Sequence, residues 1–296
     1  MTNPVEVFSP AKLNLFLAVT GRRPDGFHDL VSVAAPLAWG DRLRAEPGAA
    51  GETAFACADP AVPSDESNLV LRAARAFREA TGWRGGVRFS LEKRIPIGAG
   101  LGGGSSNATA ALLALNALAG RPLDPAALAS VAAGVGSDCA LFLAGGPVVM
   151  RGRGERIEPL AAPAASRIRG RRVLVLKPGF GIGTAWAYGR MAERGEYTAG
   201  SEAEARLARW ASDPSARAED LLFNGFEAVA FGKYPSLPLL LDRLRARYGL
   251  SPLLSGSGSA CFALLPDAGG PSAEDLAAEV REAWGQSAFV TETNLA

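Results

Sequence analysis

From Lys12 to Val19 the chain reads Lys-Leu-Asn-Leu-Phe-Leu-Ala-Val, with Leu13, Leu15, Leu17 and Val19 two residues apart. That period predicts a strand. It puts Lys12 and Asn14 together on the opposite face, which a buried strand would turn toward something polar. Residues 41–46, 53–57 and 87–92 are further strand candidates. Between the last two, Leu69, Ala73, Ala76, Phe77 and Ala80 form the inner stripe of a helix, with Ser67-Asn68 as caps before it and Gly82 ending it. An Ala/Leu-rich run predicts a second helix over residues 105–118. Leu123-Asp124-Pro125 then offers an N-cap and a first-turn proline for a third.

Residues 148–151 read as a strand that closes this half. The segment 161–166 (AAPAAS) has no periodicity and reads as a linker. Beyond it, the apolar run Val173-Leu174-Val175-Leu176 predicts a short strand over 172–177. Helical patterns follow through Arg247, then strands near 253–255 and 260–265. Ser272-Ala273-Glu274-Asp275 resembles a capping box opening a last helix, before a final strand over 288–291. The pattern predicts two α+β domains, residues 1–160 and 161–296, and shows no internal repeat.

Composition contributes mainly by exclusion. Apolar residues make up 48% of the 296 and charged residues 21%, so a core is readily built. With 31 cationic against 30 anionic side chains and no basic stripe interleaved with aromatics, nothing predicts a nucleic-acid surface. Cys57, Cys139 and Cys261 lie far apart without a CxxC pair, and the single His28 cannot complete a zinc set, so no metal ligands are assigned. No apolar run is long enough to span a bilayer, and residues 1–12 lack a signal core. The expectation is a soluble, cytoplasmic protein without membrane or nucleic-acid partners, a monomer or weak homodimer.

The segment Pro96-Ile97-Gly98-Ala99-Gly100-Leu101-Gly102-Gly103-Gly104-Ser105-Ser106 is the most informative. Five glycines lie in seven residues between a predicted strand and a predicted helix. Glycines let backbone amides approach a ligand, and a helix start adds unpaired N–H groups and the positive end of its dipole. Ser105 and Ser106 add hydroxyls for phosphate oxygens or a magnesium-bound water. The alternative is a flexible loop capped by serine. Gly98-x-Gly100-x-x-Gly103 satisfies the dinucleotide fingerprint, but the nearest acidic residue at the required distance, Asp124, reads as a helix cap. No Gly-Lys-Ser/Thr ends the loop, and neither HRD nor DFG follows it.

This loop resembles the phosphate loop of the GHMP kinases, which include galactokinase, homoserine kinase and mevalonate kinase. Ser9-Pro10-Ala11-Lys12-Leu13-Asn14-Leu15 resembles their N-terminal motif, and Leu254-Ser255-Gly256-Ser257-Gly258-Ser259-Ala260-Cys261 their C-terminal glycine motif, all in the family's order. The resemblance implies an N-terminal ribosomal-protein-S5-like domain and a C-terminal ferredoxin-like domain, with the active site in the cleft between them. The last strand could return to the N-terminal domain. It also implies ATP as co-substrate with Mg²⁺ bridging its phosphates. By the same resemblance Gly256, Ser257 and Gly258 flank the phosphates; alone they also read as a tight hairpin turn.

Asp138, in Gly136-Ser137-Asp138-Cys139, alone reads first as a helix N-cap with Ser137. It matches the family's catalytic aspartate, which implies a general base for the acceptor alcohol. Lys12, otherwise a solvated edge charge, matches the lysine that orients the alcohol. Thr20-Gly21-Arg22-Arg23-Pro24-Asp25-Gly26-Phe27-His28 is similar to a segment of the GHMP kinases that act on a cytidine-diphosphate-linked methylerythritol, with Phe27 in place of their tyrosine. The resemblance implies that Phe27 stacks on cytosine and His28 hydrogen-bonds to it. It implies too that Asn14 binds substrate, that Thr184 meets its polar groups and that Tyr188 stacks on the base's other face. A lone histidine is more often structural, and Thr184 and Tyr188 also fit a helix cap and a core aromatic. Asn224-Gly225-Phe226-Glu227 departs from the family's Asn-Asp-Leu-Glu and carries no assigned role. Other readings are a different GHMP kinase (mevalonate, homoserine or sugar) and a catalytically dead nucleotide sensor.

Overall fold

The computed structural model describes residues 3–296. The chain is α+β and falls into two compact units, each assembled from several stretches of sequence. Of the described residues, the first unit comprises 3–11, 39–97 and 102–145, and the second 12–38, 98–101 and 146–296. Two long strands, β1 (Val5–Arg22) and β2 (His28–Gly48), contribute residues to both.

In the first unit β3 (Thr53–Cys57) runs parallel to β4 (Gly86–Glu92), and β4 pairs antiparallel with residues 42–48 of β2. Three helices cover these strands: α1 (Leu69–Thr81), α2 (Gly103–Leu118) and α3 (Pro125–Val135). Asn68 caps α1 by accepting from the Val70 amide at 2.8 Å, and Gly82 ends it in the left-handed region. Asp124 caps α3 by accepting from the Ala127 amide, with Pro125 in the first turn as expected. Phe77, Phe89, Leu43, Leu112 and Leu115 fill the core between strands and helices. The buried face of α1 is Val70, Ala73, Ala74 and Phe77, one step round from the predicted stripe.

In the second unit β5 (Val148–Gly152) pairs antiparallel with residues 30–34 of β2 and with β6 (Arg156–Pro159). The segment read as a linker instead forms one helical turn, α4 (Ala162–Ala165), because its small residues bury Ala164 and Ala165. A four-stranded antiparallel sheet follows. Its central strands are β7 (Arg172–Lys177) and β10 (Cys261–Leu264), flanked by β11 (Phe289–Asn294) and β9 (Leu253–Leu254). β7 is buried throughout Val173–Lys177, which is why it reads as one continuous apolar run. Between β7 and β9 lie α5 (Thr184–Arg194), α6 (Gly200–Ser212), β8 (Phe223–Asn224), α7 (Glu227–Lys233) and α8 (Ser236–Tyr248). β8 adds parallel to β1 at Phe16 and Leu17. The last helix, α9 (Ala273–Trp284), packs on α8 and opens on Ser272, whose hydroxyl accepts from the Asp275 amide and donates to its carboxylate. No helix among the described residues is long and apolar enough to cross a membrane.

Candidate active site

The expected polar face of β1 is buried. Lys12 is 4% exposed and Asn14 5%, between the buried Leu13, Leu15 and Leu17. Two polar groups there need partners. The Lys12 ammonium donates to Asn14 Oδ1 at 2.5 Å, Asn14 Nδ2 donates to Ser32 Oγ at 2.9 Å, and Ser32 donates to the Phe16 carbonyl at 2.7 Å. Asn14 is thus a relay that fixes Lys12 in place.

Within the second unit, loop residues 98–101 meet the C-terminal glycine turn backbone to backbone. The Ala260 amide donates to the Ala99 carbonyl at 3.0 Å and the Lys12 amide to the Leu101 carbonyl at 3.0 Å, while Ser255 Oγ donates to the Gly100 carbonyl at 3.3 Å. Gly100 has φ +78°, and a Cβ there would lie 2.3 Å from the Ser255 carbonyl oxygen. A Cβ on Gly256 would lie 3.0 Å from the Gly100 carbonyl oxygen and 3.5 Å from Lys12 Nζ. The loop, the turn and the lysine therefore share one site. Gly100→Ala combines a left-handed alanine, costing about 1–2 kcal/mol, with a backbone clash that no side-chain rotation relieves. If the loop seats the phosphates of ATP, as the resemblance implies, the variant's KM for ATP rises about tenfold or more, the equivalent of at least ~1.4 kcal/mol; steady-state kinetics measures it.

The remaining substrate candidates of the second unit join this cluster in a chain. Thr184 Oγ1, in the first turn of α5, is 3.0 Å from Ser257 Oγ. One turn on, the Tyr188 ring lies 4.8 Å from the His28 ring and packs edge-on against Phe226 at 4.8 Å. Lys177 donates to the Pro178 and Phe180 carbonyls and so shapes the approach to α5. His28 is 8% exposed, and its Nε2 is buried with no hydrogen-bond partner in the protein. Burial, then the nearby charge of Arg22, pushes its pKa below the usual histidine value, so the ring is neutral at pH 7. Phe27 is 52% exposed, with the Arg153 guanidinium 4.7 Å from its ring centre.

In the first unit α2 begins at Gly103, after Gly102 with φ +71°, so Ser105 and Ser106 stand inside its first turns and are not its caps. Ser106 is buried and accepts a hydrogen bond from Ser9 Oγ at 2.8 Å; Ser105 is partly exposed. α3 ends at Val135, and Asp138 stands in the turn that leads into a 3₁₀ segment, Ala140–Leu143, preceded by Cys139. It does not cap α3. That turn is tied to α2: Thr109 Oγ1 reaches the Cys139 carbonyl at 2.7 Å and the Ser105 carbonyl at 3.0 Å. Burial pushes the Cys139 thiol up to about 11, which keeps it protonated beside Asp138. Pro96 and Ile97 lead into the loop, and Ile97 is 44% exposed.

Several contributors carry no motif of their own. Lys93, one of four lysines, lies directly ahead of the loop, and its Nζ is 3.1 Å from where a Cβ on Gly103 would sit. Asn224, to which the sequence assigns no role, donates to the Leu254 and Gly256 carbonyls at 2.8 Å each and so holds the glycine turn. Tyr197 lies 5.9 Å from His28. Scarcity of lysine is a usable signal for Lys93; Asn224 and Tyr197 offer none.

Residues 68–146 match the family described as GHMP kinases N terminal domain. The chain is 40% identical over 284 residues to a 4-diphosphocytidyl-2-C-methyl-D-erythritol kinase of Thermus thermophilus, covering 96% of this chain and 94% of that one. It is 37% identical over 278 residues to the protein of the same name from Pelotomaculum thermopropionicum, covering 94% of each. A crystal structure of 4-(cytidine 5'-diphospho)-2C-methyl-D-erythritol kinase superposes with a TM-score of 0.74 at 39% identity, over 99% of this chain and 100% of that one. Mevalonate kinase from Methanococcus jannaschii shares the fold, at TM-score 0.71, 13% identity and 99% coverage of each chain. The chain belongs to the 4-diphosphocytidyl-2-C-methyl-D-erythritol kinase family, within the GHMP kinases.

Proposed function

We propose that the protein transfers the γ-phosphoryl group of ATP to the 2-hydroxyl of 4-diphosphocytidyl-2-C-methyl-D-erythritol, a step in the non-mevalonate route to isoprenoid precursors. The observation that carries this reading is the contact chain of the second unit. Lys12, loop 98–101 and turn 255–258 form one cluster, and Thr184 links it to the His28–Tyr188 ring pair. A phosphate seat connected to an aromatic pair suits a substrate with a pyrimidine at one end and an alcohol at the other. Mevalonate, homoserine and sugars carry no base to use that pair.

Phosphoryl transfer asks for positioning and charge stabilisation more than covalent chemistry. The loop amides and the start of α2 bind the phosphates of ATP. The acceptor oxygen attacks the γ-phosphorus, the bond from that phosphorus to the β–γ bridging oxygen breaks, and ADP leaves. The hydroxyl proton passes to the Asp138 carboxylate. Lys12, held by Asn14, supplies positive charge to the acceptor oxygen and the transferring group. The neutral imidazole of His28 offers its unpartnered Nε2 to the cytosine edge, while Phe27 and Tyr188 supply ring faces. Mg²⁺ neutralises charge on the ATP phosphates when bound, and the partly exposed Ser105 hydroxyl, a hard oxygen donor in the first turn of α2, is the protein group that fits it. The free thiols Cys57, Cys139 and Cys261 suit a reducing compartment, the cytoplasm.

ADP release coupled to a reporter enzyme, with 4-diphosphocytidyl-2-C-methyl-D-erythritol, mevalonate, homoserine and galactose compared side by side, tests the reading. Turnover is expected with the cytidine substrate alone. Turnover with mevalonate, homoserine or galactose instead would overturn it.

A further inference from the structure

A carboxylate outside the expected site ties together the two ends of the phosphate loop. Asp41, on β2, is fully buried. Its Oδ1 accepts from the Arg94 amide at 2.6 Å and the Ile95 amide at 2.8 Å, on the strand side of the loop. Its Oδ2 accepts from Lys93 Nζ at 2.5 Å and from Asn107 Nδ2 at 2.8 Å, and Asn107 stands on α2 just beyond the loop. Asn107 Nδ2 also donates to Ser9 Oγ at 2.8 Å, and Ser9 donates in turn to Ser106. One side chain therefore bonds to residues 93, 94, 95 and 107, which bracket the loop 96–106. β2 comes this close to β1 only because of Gly40: a Cβ there would lie 2.2 Å from the Ser9 carbonyl oxygen.

Burying an ion pair seldom gains net stability, because desolvation offsets the attraction, and apolar residues of similar size often serve as well. The Lys93–Asp41 pair is nonetheless almost wholly buried, with side chains 8% and 0% exposed. A loop with five glycines samples many backbone conformations, and few of them point its amides at phosphates. Fixing both of its ends reduces that ensemble before the ligand arrives, and so reduces the ordering cost of binding.

We propose that Asp41 is a positioning residue for ATP: it holds the phosphate loop in its binding form by clamping both ends, without touching the nucleotide. This rests on the reading of residues 98–106 as the ATP phosphate seat.

The test compares wild type, Asp41→Asn and Asn107→Ala in the ADP-release assay, with ATP and the acceptor varied separately and thermal melting run alongside. Asp41→Asn keeps an acceptor for the two amides but replaces the charge facing Lys93 and Asn107. Its KM for ATP is expected to rise about tenfold or more, with kcat lowered less than threefold and the acceptor KM within twofold. Asn107→Ala removes the helix-side tether together with the bond to Ser9, leaves the strand-side bonds of Asp41 in place, and is expected to raise the ATP KM about threefold or more; it carries the test if Asp41→Asn does not fold. The proposal is overturned if a folded variant keeps an ATP KM within twofold of wild type. It is equally overturned if kcat and both KM values worsen together in step with the melting temperature, as a purely structural role predicts. A wild-type protein that neither binds nor uses ATP would overturn the reading of the loop itself, a separate result.

Discussion

Asp138→Asn is expected to lower kcat by about 10²–10⁴ and to leave the fold and ATP affinity nearly unchanged. Asparagine matches aspartate in shape but cannot take a proton at neutral pH. Thr109 binds the Cys139 carbonyl and so anchors the turn that carries residue 138 to α2, a bond the substitution does not touch. The loss should therefore appear in turnover and not in the melting temperature. Single-turnover kinetics with saturating ATP, together with a thermal melt, separates the two. Near-normal turnover in the purified variant would remove Asp138 from the mechanism.

Lys12→Ala is expected to produce a loss of the same order in kcat, about 10²–10⁴, with an added stability cost. Removing the ammonium leaves Asn14 Oδ1 without that donor in a buried site, a penalty of about 1–3 kcal/mol. Lys12→Met keeps most of the buried aliphatic stem and removes the charge. If the charge is what matters, both variants lose turnover while Lys12→Met packs better and melts closer to wild type. Should Lys12→Met turn over at a normal rate, the lysine's contribution is packing alone.

What the sequence disclosed and what it hid follow from the range of the interactions. The alternation in β1, the caps Asn68, Asp124 and Ser272, and the apolar run of β7 are local signals, and each element stands where its signal predicted. The glycine loop was equally plain, since so many glycines sacrifice backbone order that only close approach to a ligand or a neighbouring backbone repays. β2 begins well before the predicted 41–46, and Pro36, a residue that disfavours strands, stands inside that early part. The Asp41 clamp was invisible for another reason: its partners lie 52 to 66 residues away, and no pattern near position 41 announces them. Asn224 likewise makes its useful bonds 30 and 32 residues downstream. Motifs pointed to the candidate site residues, and the residues that hold those motifs in place became visible only in the structure.

The bond between the Ala260 amide and the Ala99 carbonyl has a consequence for how this enzyme matures. It joins positions 161 apart, and β9 and β10, which present the partner turn, come late in the chain. Translation delivers the amino-terminal part first, and closing so long a loop comes at an entropic cost that local helices do not face. On the ribosome, the glycine segment around position 100 must wait for its carboxyl-terminal brace, held until then at its two ends by Asp41 and at Leu101 by the Lys12 amide. On the proposed reading of the loop, competence to grip a nucleotide is therefore acquired near the end of synthesis, and a chain arrested before residue 250 would hold the signature motif yet lack the brace.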